Sequence, residues 1–177
     1  MSLSRLESQI AFVTEIDKLK TILRQTPLMD NSRRENSAEH SWHLALMALI
    51  LGEYAEAGTD LTRVVKMVLV HDIVEIDAGD TFAYDVQGYT DKAEREELAA
   101  ARIFGLLPDD QHDIIMALWR EFEAIATPEA RFANALDRLE PLIGNFVSGG
   151  GSWKKPGVTL PKVQKRMEPI GAVSPAL

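Results

Sequence analysis

His71 and Asp72 end a run that is almost wholly apolar, Val64-Val-Lys-Met-Val-Leu-Val70. A carboxylate at the edge of a buried segment is costly unless something compensates its charge. Glu75 lies four residues past His71 and three past Asp72, which puts it on the same side of a helix. With Asp77 and Asp80, four acids and a histidine fall within ten residues. Such a cluster repels itself strongly unless a cation sits among its members. His40 and His43, one helical turn apart, stand beside apolar positions, and Asp137 interrupts the run from Phe132 to Leu139. The chain has no cysteine, so imidazole and carboxylate are the donors on offer. That donor set suits one borderline or hard divalent ion: Mn²⁺, Co²⁺, Zn²⁺, Fe²⁺ or Mg²⁺. Bundle cores hold such ions with three or four ligands drawn from different helices.

Each of these residues also has an ordinary reading. His71 and Asp72 could form a hydrogen-bonded helix end, and adjacent helical residues point about 100° apart, so both arms must reach across to share an ion. His43 reads as a satisfied core or surface histidine. Asp137 alone is open either way. His112 reads as a solvated helix start, Asp77 as solvent-facing, and the charges from Glu94 to Glu97 as an exposed face.

The elements that must position these groups are helical by pattern. Leu3, Leu6, Ile10, Phe12, Val13, Ile16, Leu19 and Leu23 form one stripe, predicting a helix that stops before Pro27. Residues 29–36 read as a polar loop. A second helix starts at Asn36, with Glu39 completing a capping box, and carries Trp42, Leu46 and Leu49 on a mostly buried circumference up to Gly58. A third runs from Leu61 to about Ala78, apolar nearly all round. After a loop from Gly79 to Tyr89, Asp91 caps a fourth helix reaching Gly105. A fifth spans roughly 109–126, and a sixth begins at Thr127-Pro128-Glu129. Residues 148–152 read as a mobile break, followed by a short helix over 160–167 and a tail. No segment alternates with period two over a useful length, so the prediction is an all-α, single compact bundle of about six helices.

Composition narrows the partners. The chain has 177 residues, and 19 Lys and Arg against 27 Asp and Glu give a net charge of −8. A nucleic-acid polymer is not expected as partner, because binding a phosphate backbone needs a cationic face. A small phosphate ester in a local positive pocket remains compatible. No apolar run approaches the ~20 residues of a membrane span, and the start, MSLSRLESQIAF, lacks the pattern of a signal peptide. A cytoplasmic protein without membrane contact is expected.

In order, the chain carries His40 in Glu-His-Ser, the doublet His71-Asp72 with Glu75 and Gly79-Asp80, and Asp137 in Ala-Leu-Asp-Arg. This resembles the HD-domain metal-dependent phosphohydrolases, whose pattern is H…HD…D. The stretches Arg34-Glu-Asn-Ser-Ala-Glu-His40 and His71-Asp-Ile-Val-Glu75 extend the likeness to the 5′-deoxynucleotidase subgroup, over about residues 15–147. The resemblance implies one HD domain filling residues 1–177, with 148–177 as loop, short helix and tail. It also implies a divalent ion held by His40, His71, Asp72 and Asp137.

By the same likeness, Glu75 and Asp80 are the catalytic candidates. Asp80, Thr81, Asp72 and Asp137 are then expected to line the nucleotide pocket, and Arg24, Arg33 or Arg34 would neutralise the phosphate, since a planar guanidinium suits bidentate phosphate contacts. The implied substrate is a nucleoside 5′-monophosphate, and the implied assembly a homodimer. The chain departs from the subgroup in two places. Arg24 matches its arginine only with a one-residue shift and lacks the tryptophan beside it, and Thr81-Phe-Ala-Tyr-Asp85 replaces its stretch after Gly-Asp. Hydrolysis of another phosphate ester or phosphodiester, such as a cyclic nucleotide, therefore stands as an alternative, as does a non-catalytic nucleotide-binding module.

Overall fold

A computed structural model describes residues 3–177. Eight α-helical segments follow in order: α1 (Arg5–Ile16), α2 (Ser37–Ile50), α3 (Leu61–Val70), α4 (Glu75–Ala78), α5 (Lys92–Phe104), α6 (Asp109–Ala124), α7 (Pro128–Val147) and α8 (Leu160–Val173). The all-α expectation holds, with one addition. Between α1 and α2 lies an antiparallel pair, β1 (Leu23–Pro27), where the first helix was expected to end, and β2 (Arg34–Asn36), where a polar loop was expected. Strands of five and three residues are too short to show an alternating pattern.

The capping chemistry decides several boundaries. Asn36 accepts from the Glu39 amide at 2.9 Å, and the Glu39 carboxylate accepts from the Asn36 amide at 3.1 Å, closing the capping box read from the sequence. Thr127 accepts from the Ala130 amide at 3.1 Å and Pro128 occupies the first turn of α7. Asp91 does not cap α5; its carboxylate accepts from Arg95 Nε at 3.0 Å instead.

Other boundaries shift from expectation. The α1 helix ends at Ile16 and passes into a 3₁₀ turn, Asp17–Thr21, that turns Leu19 into the core. The α2 helix stops at Ile50, short of Gly58, and α8 continues to Val173. The expected third helix breaks after Val70. Residues 71–74 form a turn, and α4 adds one more helical turn before Gly79 at φ +74°.

Two apolar clusters pack on either side of that turn. Leu44, Val64, Met67, Phe132 and Leu136 belong to one, built mainly from α2, α3 and α7. Val70, Ile73 and Val74 belong to the other, with Ile103 and Phe104 of α5 and Trp119 of α6. The turn carrying His71 and Asp72 is thus clamped where the two clusters meet, which fixes the direction of both side chains. Phe132 is fully buried one helical turn and a half before Asp137. Phe132→Ala is expected to destabilise the fold by about 3–5 kcal/mol, read from the denaturant midpoint at unchanged slope.

Two surface expectations are corrected. The α2 helix is not buried round most of its circumference: Trp42 is 61%, Leu49 60% and Ile50 74% exposed. The Glu94–Glu97 run is not wholly an exposed face either, since Glu96 is buried and receives Lys92 Nζ at 2.7 Å. No described helix is long and apolar enough to cross a membrane.

Candidate metal centre

The 71–74 turn, α2 and α7 bring four sequence-predicted residues to one point. His71 Nδ1 donates to the Val68 carbonyl at 2.9 Å, which leaves Nε2 facing inward. There it is buried without a hydrogen-bond partner. Asp72 Oδ1 stands 3.0 Å from it, out of hydrogen-bond alignment, and Asp137 Oδ1 stands 3.8 Å away. From α2, the fully buried His40 points its Nε2 at the same Asp137 oxygen, at 3.0 Å. Donor atoms of His40, His71 and Asp72 all lie within 4.8 Å of one another. The angular obstacle posed by neighbouring residues disappears, because His71 and Asp72 leave the end of α3 in a turn.

The electrostatics agree with a cation at this point. Burial disfavours charge on His71, yet Asp72 and Asp137 outweigh it and lift the imidazole to about 9. Burial and Arg24 act against charge on His40, and hydrogen bonds to Asp137, Glu140 and Glu35 overcome both and raise its pKa. Burial pushes Asp72 up, but His71 and Arg24 hold it down at about 2. Asp137 is likewise held well below the usual range by the two imidazoles, against its burial. Carboxylates that draw protons onto two buried imidazoles draw a divalent ion by the same field. The orphaned His71 Nε2 and the mixed imidazole–carboxylate donor set therefore fit such an ion.

A second layer, not anticipated from sequence, sits behind His40. Glu140 Oε2 lies 3.3 Å from His40 Nδ1, and its Oε1 lies 3.4 Å from His43 Nδ1. Glu35 Oε2 stands 3.6 Å from His40 Nδ1 and 3.5 Å from Arg24 Nε. A carboxylate on the outer nitrogen fixes the tautomer and orientation of a ligand histidine. His43 thus takes the ordinary role foreseen for it. Glu140 lies one turn after Asp137 at Glu-Pro, a spacing that could have flagged it.

The cavity in front of the centre is lined by Arg24, His71, Asp72, Glu75, Asp80, Thr81 and Asp137. Glu75 is buried and accepts from Ser37 Oγ at 2.6 Å. Burial, with Asp72 and Asp80 nearby, pushes its carboxyl up to about 8. Asp80 is also raised, mainly by burial, and its Oδ2 has no hydrogen-bond partner. Arg24, on β1, gives Nη1 to Asp72 Oδ2 at 2.9 Å, so the hairpin missed by pattern reading is what delivers it.

Arg33 and Arg34 do not line this cavity. Arg33 is exposed and clasps Glu39, and Arg34 gives its N–H groups to the carbonyls of Leu23 and Arg24. No tryptophan stands beside Arg24, but one from elsewhere in the chain reaches the cavity. Trp153 lines the cavity with Phe82 and Tyr84.

It is brought there by residues 148–152, which are held in place. Asn145 Oδ1 accepts from the Ser152 amide at 2.6 Å and from Ser152 Oγ at 2.9 Å. Gly149, Gly150 and Gly151 all have positive φ, a turn that only glycine follows without strain. Three successive glycines before Ser-Trp were the available signal.

Comparison with known proteins follows the same lines. Residues 16–176 match the HD domain family model. The chain is 31% identical to the human 5′-deoxynucleotidase HDDC2 over 137 residues, covering 77% of this chain and 66% of that protein. It is 30% identical to the zebrafish (Danio rerio) protein of the same name over 139 residues, covering 78% and 68%. The chain thus spans about two thirds of the length of these relatives. A crystal structure of a predicted metal-dependent phosphohydrolase from Magnetospirillum magnetotacticum MS-1 superposes with a TM-score of 0.93 at 60% identity, over 98% of this chain and 87% of that one. A conserved hypothetical protein from Pyrococcus furiosus, 23% identical, shares the fold at a TM-score of 0.68, over 93% and 90% of the two chains.

Proposed function

The chain belongs to the HD domain family, and we propose that it is a metal-dependent phosphohydrolase releasing phosphate from nucleoside 5′-monophosphates, 2′-deoxynucleotides among them. The observation that carries this is the buried, unpartnered His71 Nε2 facing Asp72, Asp137 and His40 at the floor of a cavity. The relatives named as 5′-deoxynucleotidases support the choice of substrate.

His40, His71, Asp72 and Asp137 would hold the divalent ion. When bound, such an ion supplies the positive charge that acidifies water and polarises a phosphoryl oxygen. The protein's own groups do the rest. Glu75, beside the centre and oriented by Ser37, holds the proton that moves between the attacking water and the departing ribose oxygen. Arg24, which holds Asp72 Oδ2 and lines the cavity, would offer its guanidinium to the phosphate, while Asp72 Oδ1 faces His71 Nε2. Asp80 Oδ2, without a partner of its own, is open to a hydrogen-bond donor of the substrate, such as an N–H group of the base. Phe82, Tyr84 and Trp153 give the nucleoside apolar faces to lie against.

Pairing of two copies is part of this reading. Leu6, Ile10 and Val13 on α1 and Trp42, Leu49 and Ile50 on α2 are exposed apolar side chains that a partner would cover. A solution mass equal to one chain would remove that element.

The activity is tested with chelator-stripped protein and a panel of 5′-deoxynucleoside and 5′-ribonucleoside monophosphates, adding back Mn²⁺, Co²⁺, Zn²⁺ or Mg²⁺ in turn. Metal-dependent phosphate release is the expected result, and the deoxy-to-ribo ratio sets the preference. Metal binding with no release from any member would leave the centre standing and reject the substrate class.

A further inference from the structure

The cavity does not end at the nucleoside. Past Tyr84 it opens into a groove on the α8 side, and Arg138 and Arg166 border both spaces. Lys162 and Lys165, on α8 with Arg166, line the groove beyond. Arg138 directly follows Asp137, so the helix that delivers a candidate ligand to the centre also delivers a cation to the cavity wall.

These cations are unusual within this chain. Every arginine other than Arg34, Arg138 and Arg166 is ion-paired with a carboxylate, and Arg34 is spent on backbone carbonyls. Among the described residues, Arg138 and Arg166 have neither an ion pair nor a hydrogen bond, although both are half-buried and the chain has 27 acids to offer. The acid that lines the groove, Asp85, is engaged within its own loop and accepts from the amides of Gln87 and Gly88 at 3.1 Å each. Like charges left facing one another beside a substrate cavity, in an acidic protein, mark a place for an anion that arrives from outside.

We propose that Arg138 and Arg166, with Lys162 and Lys165 at the outer edge, form a subsite for a second phosphate on the substrate, so that the preferred ligand is a nucleoside 3′,5′-bisphosphate. This deepens the nucleotide reading above and rests on it. With the 5′-phosphate at the metal centre and the nucleoside against Tyr84, the second phosphate would enter the groove that begins past Tyr84. On a 2′-deoxyribose 5′-phosphate, the 3′-oxygen is the one sugar hydroxyl left to carry another phosphate. The proposed reaction cleaves the 5′ ester with water and yields a nucleoside 3′-monophosphate and inorganic phosphate.

The test compares 2′-deoxyadenosine 5′-monophosphate with 2′-deoxyadenosine 3′,5′-bisphosphate on the metal-loaded full chain, with products separated chromatographically. The wild type is expected to favour the bisphosphate in kcat/KM by about tenfold or more, tenfold being the low end of one hydrogen bond to a charged group. Arg166→Gln should bring that ratio close to one. Lys162→Gln with Lys165→Gln, both at exposed positions, should lower it in a variant whose folding is not in question. A wild-type ratio of one or less, or a ratio that none of these substitutions moves, overturns the subsite. If neither compound is hydrolysed, the catalytic reading fails on its own account. Equilibrium binding of the same two compounds then decides the subsite: tighter, Arg166-dependent binding of the bisphosphate upholds it, and equal binding rejects it.

Discussion

Asp137→Asn is expected to lower divalent-metal affinity by more than about a hundredfold, and phosphate release with it. Loss of an outer partner of a ligand alone typically costs 10–100-fold, and Asp137 faces both imidazoles directly, at 3.0 Å from His40 Nε2 and 3.8 Å from His71 Nε2. Asparagine keeps the volume but not the charge that holds both histidines in the site. The measurement is metal content after dialysis at a fixed free-metal level, with a thermal melt alongside. A variant that melts like the parent and keeps its metal would remove Asp137 from the ligand set. Asp137 is the better probe than Asp72, because Asp72 holds the buried Arg24 at 2.9 Å, whereas Asp137 stands 3.9 Å from it, so its loss disturbs Arg24 less.

Glu75→Gln is expected to retain metal and to lose about 10²–10⁴ of its turnover, the usual contribution of a positioned acid or base. Glutamine can still accept from Ser37 Oγ, so packing and the Ser37 contact survive while the exchangeable proton does not. The burial that pushes the Glu75 carboxyl up to about 8 also explains why this residue, rather than the depressed Asp72 or Asp137, is suited to carry a proton near neutrality. Normal metal content with undiminished kcat would exclude Glu75 from proton transfer. Loss of metal together with turnover would make it a ligand instead.

The two variants separate the roles of residues that one short stretch supplies. His71 and Asp72 end one apolar run, and Glu75 starts the next helical turn. All three were legible because charged groups at core positions violate the local pattern and need a physical reason. The cap at Asn36, the proline start of α7 and the all-helical class were equally legible, because capping and the 3.6-residue period act over a few neighbours.

Other features depend on residues far apart in sequence. Glu35 and Glu140 look like ordinary surface acids until folding stacks them behind His40. Trp153 reaches the cavity only because three glycines and Asn145 bend the chain back. Arg33 and Arg34 stand next to a motif and yet turn away from the cavity, while Arg138 and Arg166 turn toward it.

By itself, then, the sequence determined the helical class, the likeness to a metal-dependent phosphohydrolase and the four candidate ligands in order, since each rests on residue type and short-range spacing. Tertiary structure alone decided what surrounds those ligands: the hairpin that delivers Arg24, the carboxylates behind His40, and the unpaired cations at the far wall. Those depend on which faces of distant elements meet, and no local period records that.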